Sequence, residues 1–479
     1  MAKSRAADSI TAPHVVAVPY PGRGHVNPML LLGRLLASRL SPYRGNVTVV
    51  ITEEWLGLLG GASSPPPGVR FRTVPNVIPS ENGRAADFLG FLQAVYTKLE
   101  APFERLLDEL EPPATAILAD TFLPWAVDVG NRRKLPVCSL FTMSASFFSA
   151  LLHFHRLPFS DDQRLPFDAS GNSEVGDEPL SKYIPGHSCV RLSDLSPFLS
   201  MTKPFELALQ AISQAKKAQH LIFTTAYELE PRIIDALRAE LPFPVHVIGP
   251  TIPYLTLQET DIKIPDDDDL IAWLNSQPQS SVLYVSLGSF LSVPRSQMDE
   301  IALGLQASNA RFLWVARGDS SRLREMVGRG GRGLVVPWCD QLKVLLHPSV
   351  GGFLTHCGWN STMEAAFAGV PMLTFPIIVD QPVDSRIVVD VWKVGMRLRG
   401  DMMGGEVVGR ERVADLVNRL MDLEGAERRE MRKRASRLKE ACRGAVNAGG
   451  SSIRSLHSLA ESLSLSDRGL SSSIEGNAN

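Results

Sequence analysis

The sequence predicts an α/β protein made of two doubly wound halves, each a mostly parallel sheet with helices on both faces. Short, continuous runs of β-branched and other apolar residues alternate with helix-like segments along most of the chain, as strands buried on both faces do. The alternation breaks once, at the proline- and aspartate-rich stretch IPYLTLQETDIKIPDDDD, and then resumes. A length of 479 residues suits more than one hydrophobic core, at roughly 100–200 residues per domain.

In chain order, His14–Val18 is apolar enough for a buried strand, and Pro28–Arg39 follows as a helix, with Pro28 suited to a first turn. Val47–Thr52 is a second strand. Ala116–Ala119 and Val137–Phe141 are further strands, separated by a helix near Trp125–Arg133. Leu221–Thr224 and Val245–Gly249 complete a first half over residues 1–251. Residues 252–269 form an interdomain linker. Val282–Ser286, Phe312–Val315, Leu334–Val336, Gly352–Thr355 and Pro371–Phe375 are the strands of a second half, residues 270–448, closed by charged helices over Arg410–Arg443. A Gly449–Gly450 hinge opens residues 449–465, which contain a last helix near Ser452–Leu463, and the polar tail 466–479 is expected to be disordered.

Composition narrows the function. A hydrophobic fraction of 44% and a charged fraction of 21% exclude a largely disordered, collagenous or coiled-coil chain. With 49 Lys and Arg against 51 Asp and Glu, the net charge of -2 offers no basic field for nucleic acid or an anionic membrane and fits an enzyme of small molecules. The five cysteines are odd in number and contain no CxxC pair, which argues against a disulfide framework or a zinc site and for a reducing compartment. The start MAKSRAADSITAPH lacks a signal-peptide core, and no apolar run reaches the roughly 18 residues of a membrane span. The expectation is a cytoplasmic monomer with no membrane insertion.

Two doubly wound domains leave a cleft at the carboxyl ends of their strands, where ligands bind. The first strand ends in PYPGRGHVNP, in which GxGxxG lacks its third glycine and is therefore a weak dinucleotide fingerprint. His25, at the lip of the cleft, either accepts a proton or packs in the turn. Asp120, after the strand Ala116–Ala119, either holds the far nitrogen of that histidine or caps the next helix. In the second half, His356 and Gly358 end a strand and a helix opens at Trp359, with Asn360 and Ser361 beside its free N–H groups: an anion site, to which His356 adds a charge-assisted bond. Glu364, one turn on, suits two vicinal ribose hydroxyls; Trp338 offers a flat face to a base and Gln341 an amide.

The 44-residue stretch Trp338–Gln381, with its segment THCGWNSTMEAAFAGVPML, resembles the signature box of plant UDP-dependent glycosyltransferases of small molecules, and PGRGHVNP resembles their catalytic-histidine motif. The resemblance covers nearly the whole chain and implies the GT-B fold and inverting transfer of a sugar, glucose foremost, from a UDP-sugar, with no metal and no cofactor. By it His25 is the general base and Asp120 its partner. Trp338 stacks on uracil, while Cys339 and Gln341 contact base and ribose. His356, Asn360, Ser361 and Ser289 hold the diphosphate, and Glu364 the ribose. Trp359, Asp380 and Gln381 contact the sugar, and Thr142 stands where the family often places a sugar-contacting hydroxyl. Members with glutamine at the end of the box usually favour UDP-glucose, and those with histidine UDP-galactose.

There are departures: WCDQ for the commoner WAPQ, Phe375 for a frequent Trp, and Ile377, Ile378 and Val379 without an aromatic before Asp380. They bear on the shaping of acceptor and donor rather than on the reaction. The DxD pattern within Asp266–Asp269 reads as a solvated charge cluster at a helix start, not a metal site. Two other readings compete: a non-catalytic UDP-sugar sensor, against which His25 and Asp120 argue, and a nucleotide-dependent oxidoreductase, against which the missing glycine argues.

Overall fold

The computed structural model describes residues 12–60, 65, 68–159, 177–252, 268–288, 293–308, 310–316, 320–327, 332–399 and 407–472. Among the described residues the strands form two sheets, parallel throughout. The first contains β1 (His14–Val18), β2 (Asn46–Thr52), β3 (Val69–Val74), β4 (Ala116–Asp120), β5 (Val137–Phe141), β6 (His220–Phe223) and β7 (Val245–Val247), in the order β3-β2-β1-β4-β5-β6-β7. The second contains β8 (Val282–Ser286), β9 (Arg311–Val315), β10 (Gly333–Val336), β11 (Val350–Thr355), β12 (Met372–Thr374) and β13 (Gly395–Arg397), in the order β10-β9-β8-β11-β12-β13.

Each sheet reverses its strand order once, between β1 and β4 in the first and between β8 and β11 in the second. These are the switch points where the loops after neighbouring strands part to opposite faces and leave a crevice. Val18 pairs with Ala119, and Ser286 with Thr355. The turns carrying His25 and Asp120 therefore leave one crevice, and those carrying Gly288 and His356 leave the other.

Every residue of β1, β4, β5, β8 and β11 is buried, so helices cover both faces of the strands that carry the site. Two strands escaped the sequence pattern. In β3, exposed Arg70 and Arg72 alternate with less exposed neighbours at a sheet edge, and β13 has only three residues. The first helix runs over Arg23–Leu40, starting at Arg23 rather than Pro28, because extended Gly22 serves as its N-cap and Pro28 is accommodated inside. His25 is thus in the first helical turn. The expected linker lies mostly outside the described residues, and a helix begins at Asp268. The last helix, Ser451–Ser472, continues into the segment expected to be disordered from residue 466. It packs on the first half: Ser455 Oγ accepts from Val247 N at 2.8 Å, and Leu456, Leu459, Ala460 and Leu463 are buried.

The halves also meet through buried side chains. Arg386 Nη2 donates to Asp194 Oδ1 at 2.9 Å, and Trp392 Nε1 to the Leu229 carbonyl at 3.2 Å. No helix among the described residues is long and apolar enough to cross a membrane.

Candidate active site

A cavity of about 490 Å³ lies in the cleft, lined by residues of both halves. On the first half, β4 ends at Asp120 and the first helix lifts His25 towards it. His25 Nδ1 is 2.8 Å from Asp120 Oδ2 and 3.0 Å from Thr142 Oγ1. The Asp120 side chain is fully buried, and its second oxygen accepts from Phe122 N at 2.9 Å. The following helix, Pro124–Arg133, receives no side-chain cap, so Asp120 is a partner of His25 and not a helix cap. With Nδ1–H aimed at two oxygens, the hydrogen-bond network assigns the proton to Nδ1 and leaves the Nε2 lone pair for the cavity. The Tyr20 and Phe122 rings wall the imidazole at centroid distances of 4.9 and 6.0 Å. Thr142, expected against the sugar, lines the cavity and bonds to the histidine.

On the second half, Trp338 is 58% exposed and lines the cavity. Gln341 opens the helix Gln341–Leu346, and its Nε2 donates to Ser361 Oγ at 2.8 Å and to Glu364 Oε2 at 2.7 Å. Its Oε1 accepts from the Tyr284 hydroxyl at 3.3 Å, which also lies 3.6 Å from Cys339 Sγ. Gln341 is therefore engaged inside the protein, holding Glu364 and Ser361 in place. Tyr284 is a site residue that sequence reasoning missed; its one signal is an aromatic within the otherwise apolar strand VLYVS. Burial raises the Glu364 carboxyl to about 7, against the pull of the Gln341 bond.

His356 follows β11 and lies against two glycines. A Cβ on Gly288, whose φ is +87°, would come within 2.9 Å of His356 Nε2, and one on Gly358 within 2.6 Å. Burial pushes the His356 imidazole down to about 4, which favours its neutral form near pH 7 before a ligand binds.

The helix Trp359–Ala368 presents its first N–H groups to the cavity from the N-cap Gly358. Trp359 is buried at its start, 6.0 Å from the Trp392 ring. Asn360 Nδ2 donates to the Gly24 carbonyl at 2.8 Å, across the cleft. The reason is local: Gly24 lies four residues before Pro28, which has no N–H to close the helical bond, so this carbonyl is open to a donor from the other half.

Val379, a β-branched residue at φ +60°, turns the chain so that Asp380 and Gln381 reach the cavity. Gln381 Oε1 accepts from Ile377 N at 2.8 Å and Ile378 N at 3.1 Å, which leaves its amide hydrogens for a ligand. Burial raises the Asp380 carboxyl to about 6. Ser289 lies outside the described residues, as do Asp266 and Asp267 of the acidic run. Among the described residues no three His, Cys, Asp or Glu side chains converge to hold a metal ion.

The family model described as UDP-glucoronosyl and UDP-glucosyl transferase matches residues 205–408. The chain is 48% identical over 443 residues to UDP-glycosyltransferase 87A2 of Arabidopsis thaliana, covering 92% of this chain and 94% of that one. It is 32% identical to 7-deoxyloganetin glucosyltransferase of Catharanthus roseus, covering 91% and 93%. Its fold matches Medicago truncatula UGT71G1 complexed with UDP-glucose, with a TM-score of 0.80 at 28% identity, over 95% of this chain and 99% of that one.

Proposed function

The chain belongs to the UDP-dependent glycosyltransferases, enzymes that move a sugar from a UDP-sugar to a small plant metabolite, and from that premise we propose that it transfers glucose with inversion and without a metal. The acceptor is a hydroxyl, or a carboxyl, of a lipophilic molecule, and the product is a β-glycoside. The observation that carries this reading is the His25–Asp120 pair, which lines the same cavity as Trp338, Glu364 and the start of the helix Trp359–Ala368. His25 Nε2 takes the proton of the acceptor as its oxygen attacks the anomeric carbon. UDP leaves on the opposite face, its growing charge met by helix-start amides and by His356. Trp338 stacks on uracil, with Cys339 beside the base. Glu364, held by Gln341, accepts from the ribose hydroxyls. Asn360 and Ser361 flank the diphosphate, and Ser289 belongs to the same reading. Trp359, Thr142, Asp380 and Gln381 face the sugar. The acceptor end is walled by Tyr20, Phe88, Leu92, Phe122 and Phe198, which supports a lipophilic substrate. Action as a cytoplasmic monomer belongs to the same proposal, and the five unpaired cysteines support a reducing compartment.

UDP release from UDP-glucose, measured against a panel of plant phenolics, flavonoids, terpenoids and hormones with EDTA present, tests this. Acceptor-dependent release unchanged by EDTA is expected. Release that never depends on an acceptor would favour a UDP-sugar sensor, and a loss restored only by manganese or magnesium would end the metal-free mechanism.

Donor choice follows from Gln381, whose free amide hydrogens suit sugar hydroxyls. Glucose and galactose differ in one hydroxyl, and a buried bond left unmade costs about 1–3 kcal/mol. UDP-glucose is expected to exceed UDP-galactose by about tenfold or more in kcat/KM. Gln381→Ala should impair UDP-glucose use more than UDP inhibition; competition kinetics with equal use of both donors would remove Gln381 from the sugar site.

A further inference from the structure

Directly behind Asp380 lies a second carboxyl that none of the roles above uses. Asp380 is the N-cap of the helix Gln381–Arg386, and Asp384 is one turn on, its N–H bonded to the Asp380 carbonyl at 3.0 Å. Asp384 is 0% exposed and Asp380 6% exposed. Among the described residues neither forms an ion pair; the nearby Arg386 is taken by Asp194 and Asp390. Neither oxygen of Asp384 has an aligned hydrogen bond, and the polar side chains in its reach are the Asp380 carboxyl and the Ser144 hydroxyl. Ser144 belongs to the other half, two residues after Thr142, and its oxygen already accepts from Phe147 N at 3.3 Å, so its proton is free to point at Asp384. Other ionisable groups facing the pair are Glu230, Cys357 and His25. Glu230 is itself buried and committed to Ala145 N and to Ser146.

Two carboxylates cannot both be charged in such a place. An unpaired buried charge is strongly disfavoured, and a like charge beside it adds to the cost. The deeper group, Asp384, has its carboxyl held well above the ordinary range by burial and then by Asp380. Burial and the neighbouring carboxylate thus favour the protonated form of Asp384, and Asp380 is the acceptor within its reach.

We propose that Asp384 is a positioning residue for the donor sugar: as a neutral acid it donates to Asp380 and so fixes which Asp380 oxygen faces the sugar hydroxyls. This rests on the reading of Asp380 as a sugar contact. The arrangement parallels the way a buried acid orients the working group of a pair, here with the donor and acceptor on one helical turn.

The test compares Asp384→Asn, Asp384→Leu and Asp380→Asn in the full chain, reading KM for UDP-glucose, the inhibition constant of UDP, and both across about pH 6 to 10, a span that reaches well above ordinary carboxyl values. Asp384→Leu is expected to raise KM for UDP-glucose by about tenfold and leave UDP inhibition unchanged, because UDP has no sugar to misplace. Asp384→Asn still donates and should restore KM near neutral pH. In the native enzyme KM for UDP-glucose should rise at alkaline pH as the shared proton leaves, and in Asp384→Asn, which has no proton to lose there, that rise should vanish. An alkaline rise identical in Asp384→Asn overturns the proposal even if Asp384→Leu fails to fold, as does an equal loss of UDP and UDP-glucose affinity in Asp384→Leu. An unchanged KM in Asp380→Asn would instead remove Asp380 from the sugar site, and the proposal with it.

Discussion

His25→Ala is expected to lower turnover by about 10²–10⁴-fold, the range over which a positioned general base acts, while leaving UDP affinity nearly unchanged. The separation follows from geometry. His25 touches Asp120, Thr142 and the aromatic walls of the first half, whereas the residues assigned to UDP belong to the second. Asp120→Asn is expected to slow the reaction too, since an amide presents a donor as well as an acceptor to Nδ1 and no longer fixes the tautomer that leaves Nε2 free. The measurement is kcat with an aliphatic alcohol acceptor, beside UDP binding by calorimetry. Near-normal turnover in His25→Ala would discard the mechanism. An acidic phenol is a poor acceptor for this purpose, because it ionises without help.

Glu364→Ala is expected to weaken UDP by about 10²-fold, the lower end of what two charge-assisted bonds to the ribose supply at about 1.5 kcal/mol each. A dependence on pH accompanies it. The ionised carboxylate accepts from both hydroxyls, and in the free enzyme burial sets that carboxyl at about 7. Binding favours the deprotonated form, so affinity is full above that value and falls as pH drops through it. Uridine is the right probe, since a terminal phosphate titrates near 6 and would blur the profile. Uridine affinity should fall from about pH 8 to pH 5.5, approaching tenfold per unit. The fall should flatten in Glu364→Gln. An affinity for UDP within twofold of native in Glu364→Ala would take this residue off the ribose.

Much of this was legible in the sequence where the chain speaks in continuous runs. β1 and β4 are each buried end to end, so their apolar letters were enough, and the residues that follow them, His25 and Asp120, could be paired across the intervening segment because both leave neighbouring strands. β3 was not legible, because its arginines at a sheet edge interrupt the apolar run. The start of the first helix is hidden in the sequence because Gly22 and Gly24 look like a loop, yet Gly22 is extended and caps the helix. Residue types at the site could be read, but their states could not. That the His356 imidazole is pushed down depends on burial, which the sequence does not display. That Gln341 serves Glu364 depends on a distance across two helices, and the Gly24–Asn360 bond on an i, i+4 vacancy left by a proline.

The last helix has a consequence for how the protein is made. The surface around Val247 and the first helix is translated early, but Ser455, which bonds to Val247, emerges 208 residues later. At the usual 5–20 residues per second, the first sheet waits on the order of 10–40 s with that apolar patch uncovered at the ribosome. A ribosome stalled within the second half leaves the first half without the helix that covers Val247.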